Sequence, residues 1–139
     1  MAGLIDRVGP VKPYPRRLPP FQSLTHAIIH QQISGQDGYV PTLDECDRMT
    51  DAEIMERLTG IKGVGRWTAE MLLIFNLGRP DVLPVHDLGV RKGFQFAYSK
   101  RKLPEPDQLA RYGVRWAPHR TAAAWHLWRA ADSLDGEGW

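Results

Sequence analysis

The 139 residues carry 42% hydrophobic and 24% charged side chains, enough to bury one core and too apolar for general disorder. No apolar run approaches the roughly 20 residues that span a bilayer. A single cysteine, Cys46, excludes an internal disulfide framework and any four-cysteine zinc or iron–sulfur site.

Residues 1–20 carry Pro10, Pro13, Pro15, Pro19 and Pro20 and read as an extended lead-in. They contain no apolar signal core, so the expected location is a reducing compartment, cytoplasm or nucleus, without export. "FQSLTHAIIHQQIS" follows with Leu24, Ala27 and Ile28 at helical spacing, Ser23 as an N-cap and Gly35 as a stop. In "TDAEIMER", Thr50 with Glu53 three residues on forms a capping-box signature. Trp67 to Leu77 is a strongly apolar helix closed by Gly78 and Pro80. Asp87 can cap a helix from Leu88 to about Tyr98. "PEPDQLARYG" is a short helix after a proline break, and "PHRTAAAWHLWRAADSL" a final one with Trp125 and Trp128 on one face. No alternating apolar pattern competes, so the fold class is all-α, and residues 1–139 form one domain.

Charge is unevenly placed. Residues 37–59 hold seven acids against two bases (Arg48, Arg57), whereas residues 91–129 hold nine bases against two acids (Glu105, Asp107). A basic C-terminal half suits a phosphate-binding face, and equally a solvated helix surface.

"ERLTGIKGVGRWTAE" sets a helix, a tight turn from Gly60 to Gly65 and a second helix in sequence. Without a Cβ, Gly63 and Gly65 can take positive φ and let the backbone approach another surface. Amides opening the second helix make an anion site, flanked by the mobile charges of Lys62 and Arg66. A dinucleotide fingerprint is excluded, because a helix precedes the turn and Thr68 stands where a third glycine belongs. A plain connector between two helices stays open. Asp87 likewise has two readings, a helix cap or a catalytic carboxylate. Of the five histidines, His26 and His30 form an i,i+4 pair with no acid nearby, which suits a structural or DNA-facing role better than a zinc site.

"LTGIKGVGRWTAE" over 58–70, followed by "RPDVLPVHDLGVRKG" over 79–93, resembles the helix-hairpin-helix DNA glycosylase superfamily. "FQSLTHAIIHQQISGQ" is similar to that family's early helix, and "RWAPHRTAAAWHLWR" to its closing one. The closest likeness is to the alkylation-repair 3-methyladenine glycosylases. The resemblance implies that Gly60, Lys62, Gly63, Val64, Gly65 and Arg66 bind the backbone of double-stranded DNA, that Asp87 is catalytic, and that Trp67 and Trp128 line the pocket for a flipped alkylated base. Strand-nicking members carry a lysine where this chain has Trp67, which implies base release without Schiff-base lyase chemistry. No cofactor is implied for the chemistry. A monovalent cation, Na+ or K+, is implied on the main-chain carbonyls of Thr59, Ile61 and Val64, with the protein acting as a monomer away from membranes. Relatives have further helices where Gln36 runs almost directly into "DGYVPTLDE", so helices after Gln36 are expected to be missing. If they are, a non-catalytic DNA-binding module is the alternative to an enzyme.

Overall fold

The computed structural model describes Gly3, Asp6, Pro41 and residues 43–133. The helix expected at 21–34 and the junction after Gln36 lie outside the described residues. The described chain is helical with no strand, as the apolar spacing predicts. None of its helices is long and apolar enough to cross a membrane. It falls into two compact units, one ending at Arg79 and the other starting at Pro80.

The first unit is organised around two helices and the turn between them. A short helix α1 (Leu43–Cys46) leads to α2 (Asp51–Thr59). Thr50 caps α2 as its sequence predicts, its hydroxyl accepting from Glu53 N while the Glu53 carboxylate accepts from Thr50 N at 2.7 Å. Ile54 and Leu58, one turn apart, bury its inner face. Helix α3 begins at Arg66, one residue earlier than the apolar pattern suggests, and stays α-helical only to Met71. Leu72–Asn76 widen into a π-helical turn, with Leu77 N donating to Leu72 O. Gly78 then takes φ 61°, the left-handed conformation that stops the helix. Arg79 fastens the end of this stretch to the α1–α2 turn, donating to the carbonyls of Cys46 and Met49 and pairing with Asp51 at 3.4 Å.

The second unit is built on two helices that cross closely, α4 (Leu88–Ala97) and the later α6 (Arg120–Asp132). Between them run α5 (Pro106–Gly113) and a 3-10 turn (Val114–Trp116), which periodicity does not reveal. At the crossing Gly93 faces Leu127, where an added Cβ would run into the Leu127 carbonyl. Val90, Phe94, Leu109, Ala124, Leu127 and Ala130 fill the core beside it. Phe94, Tyr98, Tyr112 and Trp116 pack edge-on and stacked around one end, with centroids 4.7–6.4 Å apart. Burial, with Tyr112 next to it, pushes the Tyr98 phenol up to about 12.

Candidate active site and nucleic-acid interface

The turn between α2 and α3 is a hairpin held by its own apolar side chains. Ile61 and Val64 point inward and are buried, while Lys62, Gly63 and Gly65 lie on the exposed side. Ile61 N donates to Leu58 O at 3.1 Å and Val64 N to Ile61 O at 3.0 Å, which closes the turn. Only Gly63 uses the freedom the sequence offers, with φ 89°. Gly65 has φ −84°, an ordinary extended value, because it serves as the N-cap of α3. An added Cβ there would meet nothing within 4 Å. The backbone stands bare at the mouth of α3. Lys62 and Arg66 are both exposed as expected, and Arg66 has a partner on its own helix. Its Nε pairs with Glu70 Oε1 at 2.9 Å, one turn along, and that carboxylate is buried. Trp67, the next residue, leaves half its surface in solvent.

In the second unit the residues from Pro80 to Asp87 are laid along the start of α6. Thr121 N donates to Pro80 O at 3.0 Å, and Val82 N donates to the Thr121 hydroxyl at 2.9 Å. Asp81 receives a two-pronged grip from Arg120, at 2.7 and 2.8 Å, and also accepts from the Arg120 backbone N–H. Hydrogen bonds from Arg120 hold the Asp81 carboxyl below its usual 3.8. Val82 to Val85 are buried, and Asp87 N closes a turn on Pro84 O at 3.0 Å.

That turn delivers Asp87 to the N-cap of α4. Its Oδ1 accepts from Val90 N at 2.8 Å, so the capping reading is correct. The same oxygen also accepts from the indole Nε1 of Trp128 at 2.8 Å. Trp128 is therefore held edge-on to the carboxylate, and Trp125 packs against it with centroids 5.8 Å apart at 83°. Gly89 makes room for both. A Cβ there would sit 2.9 Å from Trp128 Cδ1 and 3.1 Å from Asp87 Oδ1. Nothing in the local sequence marks Gly89 or Gly93, since each answers to a helix more than thirty residues away. His86 is exposed beside Asp87.

A carboxylate fixed by two donors, and a glycine turn with a bare helix N-terminus, are the two features that the sequence motifs point to. The chain is 41% identical over 120 residues to DNA-3-methyladenine glycosylase 1 of Schizosaccharomyces pombe, matching 86% of this chain and 50% of that protein. The chain belongs to the helix-hairpin-helix DNA glycosylase superfamily. It is also 28% identical over 113 residues to DNA-3-methyladenine glycosylase 2 of Escherichia coli, over 81% of this chain and 34% of that one. Among solved structures, the S. pombe glycosylase Mag1 in complex with abasic DNA superposes with a TM-score of 0.62 at 48% identity, over 64% of this chain and 43% of that chain. A DNA-3-methyladenine glycosidase of Bacillus halodurans superposes with a TM-score of 0.69 at 26% identity, over 99% and 86%. No family model matches the chain. This glycosylase-family chain spans about half the length, or less, of the curated relatives it matches first.

Proposed function

We propose that the chain is a monofunctional DNA glycosylase of base excision repair. It hydrolyses the N-glycosidic bond of alkylated purines, such as 3-methyladenine and 7-methylguanine, flipped out of double-stranded DNA. The observation that carries the reading is the fixing of Asp87 by Val90 N–H and the Trp128 indole N–H, each at 2.8 Å. A carboxylate so held cannot swing away when charge builds next to it. As the C1′–N bond breaks, its electron pair leaves with the base and C1′ gains positive character. The Asp87 carboxylate stabilises that charge, and water adds to C1′ and gives up a proton. An alkylated purine already bears positive charge, so it leaves without a strong general acid. An indole face attracts such a base by about 0.5–2 kcal/mol. Trp67 and Trp128 are the stacking candidates. Trp67 also stands where a lyase would need an amine, so the abasic strand stays uncut.

The hairpin is the backbone clamp, with Gly60, Lys62, Gly63, Val64, Gly65 and Arg66 around it. Among the described residues the Thr59 and Val64 carbonyls accept no main-chain N–H, and that of Ile61 accepts only from Val64. That donor set suits Na+ or K+, which supplies positive charge to an approaching phosphate. The protein acts as a monomer, in the cytoplasm or nucleus.

Asp87→Asn tests the reading. With methylated duplex, the variant is expected to lose at least about 100-fold in the rate of base release while DNA affinity is retained. Wild-type protein that binds DNA but frees no base identifies a binding module instead. Strand breaks before alkali treatment overturn the monofunctional assignment.

A further inference from the structure

The basic residues of the second unit are not used alike. Arg91 reaches Glu105 at 3.8 Å and the Pro104 carbonyl at 2.8 Å, and Arg120 is gripped by Asp81. Lys100, Arg101 and Lys102 follow one another on the loop after α4, all exposed, and none has a carboxylate partner among the described residues. The chain turns into this loop at Ser99, a non-glycine residue with φ 50°. Lys100 N ties it back to Gln95 O at 2.8 Å. These three residues do not sit on a flat surface. They rim a cavity of about 750 Å³ whose other walls include Phe94, Pro104 and Tyr112. Arg115 stacks over the Tyr112 ring at 3.7 Å and adds a fourth positive charge next to it.

A concave site with ionic partners on one rim and apolar rings on the other suits a strand that is anionic on one side and apolar on the other. Proteins that bind single strands combine a positive groove with ring faces, and on a duplex the positive groove follows the sugar–phosphate backbone. We propose that this groove is a second DNA-binding site, distinct from both Asp87 and the hairpin. Lys100, Arg101 and Lys102 hold the sugar–phosphate strand, and the half-buried Tyr112 lies against its sugars, while Phe94 and Pro104 are buried and close the floor behind them. The inference rests on DNA being the partner, as proposed above.

The test is the salt dependence of binding to an undamaged, fluorescein-labelled duplex, compared between wild type and the K100A/R101A/K102A variant. Each phosphate neutralised contributes about 0.9 to the slope of log K against log salt. The variant is expected to lower that slope by about two to three. With saturating methylated duplex its rate of base release should match wild type while KM rises. All three side chains are exposed, so an unchanged thermal melt is expected and serves as the control for folding. An unchanged slope with the melt intact overturns the groove and leaves the glycosylase reading standing. Polyglutamate competing as well as DNA at equal charge would also overturn it. Wild type that binds DNA with the groove-dependent slope but releases no base overturns the glycosylase reading alone.

Discussion

Trp128 is joined to Asp87 by one hydrogen bond to a charged oxygen, and such bonds contribute about 1.5–3 kcal/mol. Trp128→Phe keeps an aromatic face and removes the N–H. If the indole positions the carboxylate, kcat for base release falls by about tenfold or more while KM holds. A drop in KM-dependent binding alone would show that Trp128 serves only as a stacking surface. How far this site could be read in advance depends on distance along the chain. The Asp87 cap needs only Val90, three residues on, and its signature is visible in "HDLGV". The partner that fixes its outer edge lies 41 residues away, and residue chemistry gives no hint of it. Family resemblance picked out Trp128, but as a base-stacking residue. The hydrogen bond to Asp87 adds an orienting role. At the hairpin, two glycines looked equivalent in sequence, yet only Gly63 needs positive φ; Gly65 has an ordinary extended φ, and an added Cβ there would meet open space.

At the scale of elements, the α4–α6 crossing depends on Gly93. Any side chain there meets the Leu127 carbonyl, which belongs to a helix backbone and cannot rotate aside. Gly93→Ala should therefore cost about 1–3 kcal/mol, the usual range for overpacking, against the helix propensity it gains. Chemical denaturation would show it as a lower midpoint with an unchanged slope; a midpoint equal to or above wild type would mean that the helices part readily. The caps at Thr50 and Asp87 and the stop at Gly78 were legible because each is written within four residues. The π-helical turn at Leu72–Asn76 was not, since five apolar residues in a row carry no mark of a widened helix. Nor was the grip of Arg120 on Asp81, whose members stand 39 residues apart.

At the scale of the molecule, His126 and Asp81 are two described groups through which stability responds to acid. His126 is buried, and burial, followed by Arg129, pushes its pKa below the usual 6.5. The unfolded chain then binds a proton more readily than the fold. Its share of stability is full above pH 6.5 and is lost as pH falls below that value. Asp81 behaves likewise in a lower window, its share full above 3.8 and lost as pH falls further. Urea midpoints should decline as pH falls below 6.5 and decline again below pH 3.8. His126→Gln should flatten the first decline and leave the second; a first decline of the same steepness in that variant would assign it to another group. The reversal of charge along the chain, acidic before residue 60 and basic after 90, was readable from composition. It did not say which bases are paired with carboxylates, and Arg66, Arg91 and Arg120 all are.

The segment from Pro80 to Asp87 is fastened to one helix at both ends, to Arg120 and Thr121 near its start and to Trp128 about two turns on. Helix α6 thus acts as a measuring rod for the segment that carries the acid. Adding or deleting one residue between these anchors would rotate the indole by about 100° around the axis and leave the carboxylate without its outer donor. Length variation that loops tolerate freely is therefore forbidden across the six positions between Thr121 and Trp128, and an alignment of active members should show no gap there.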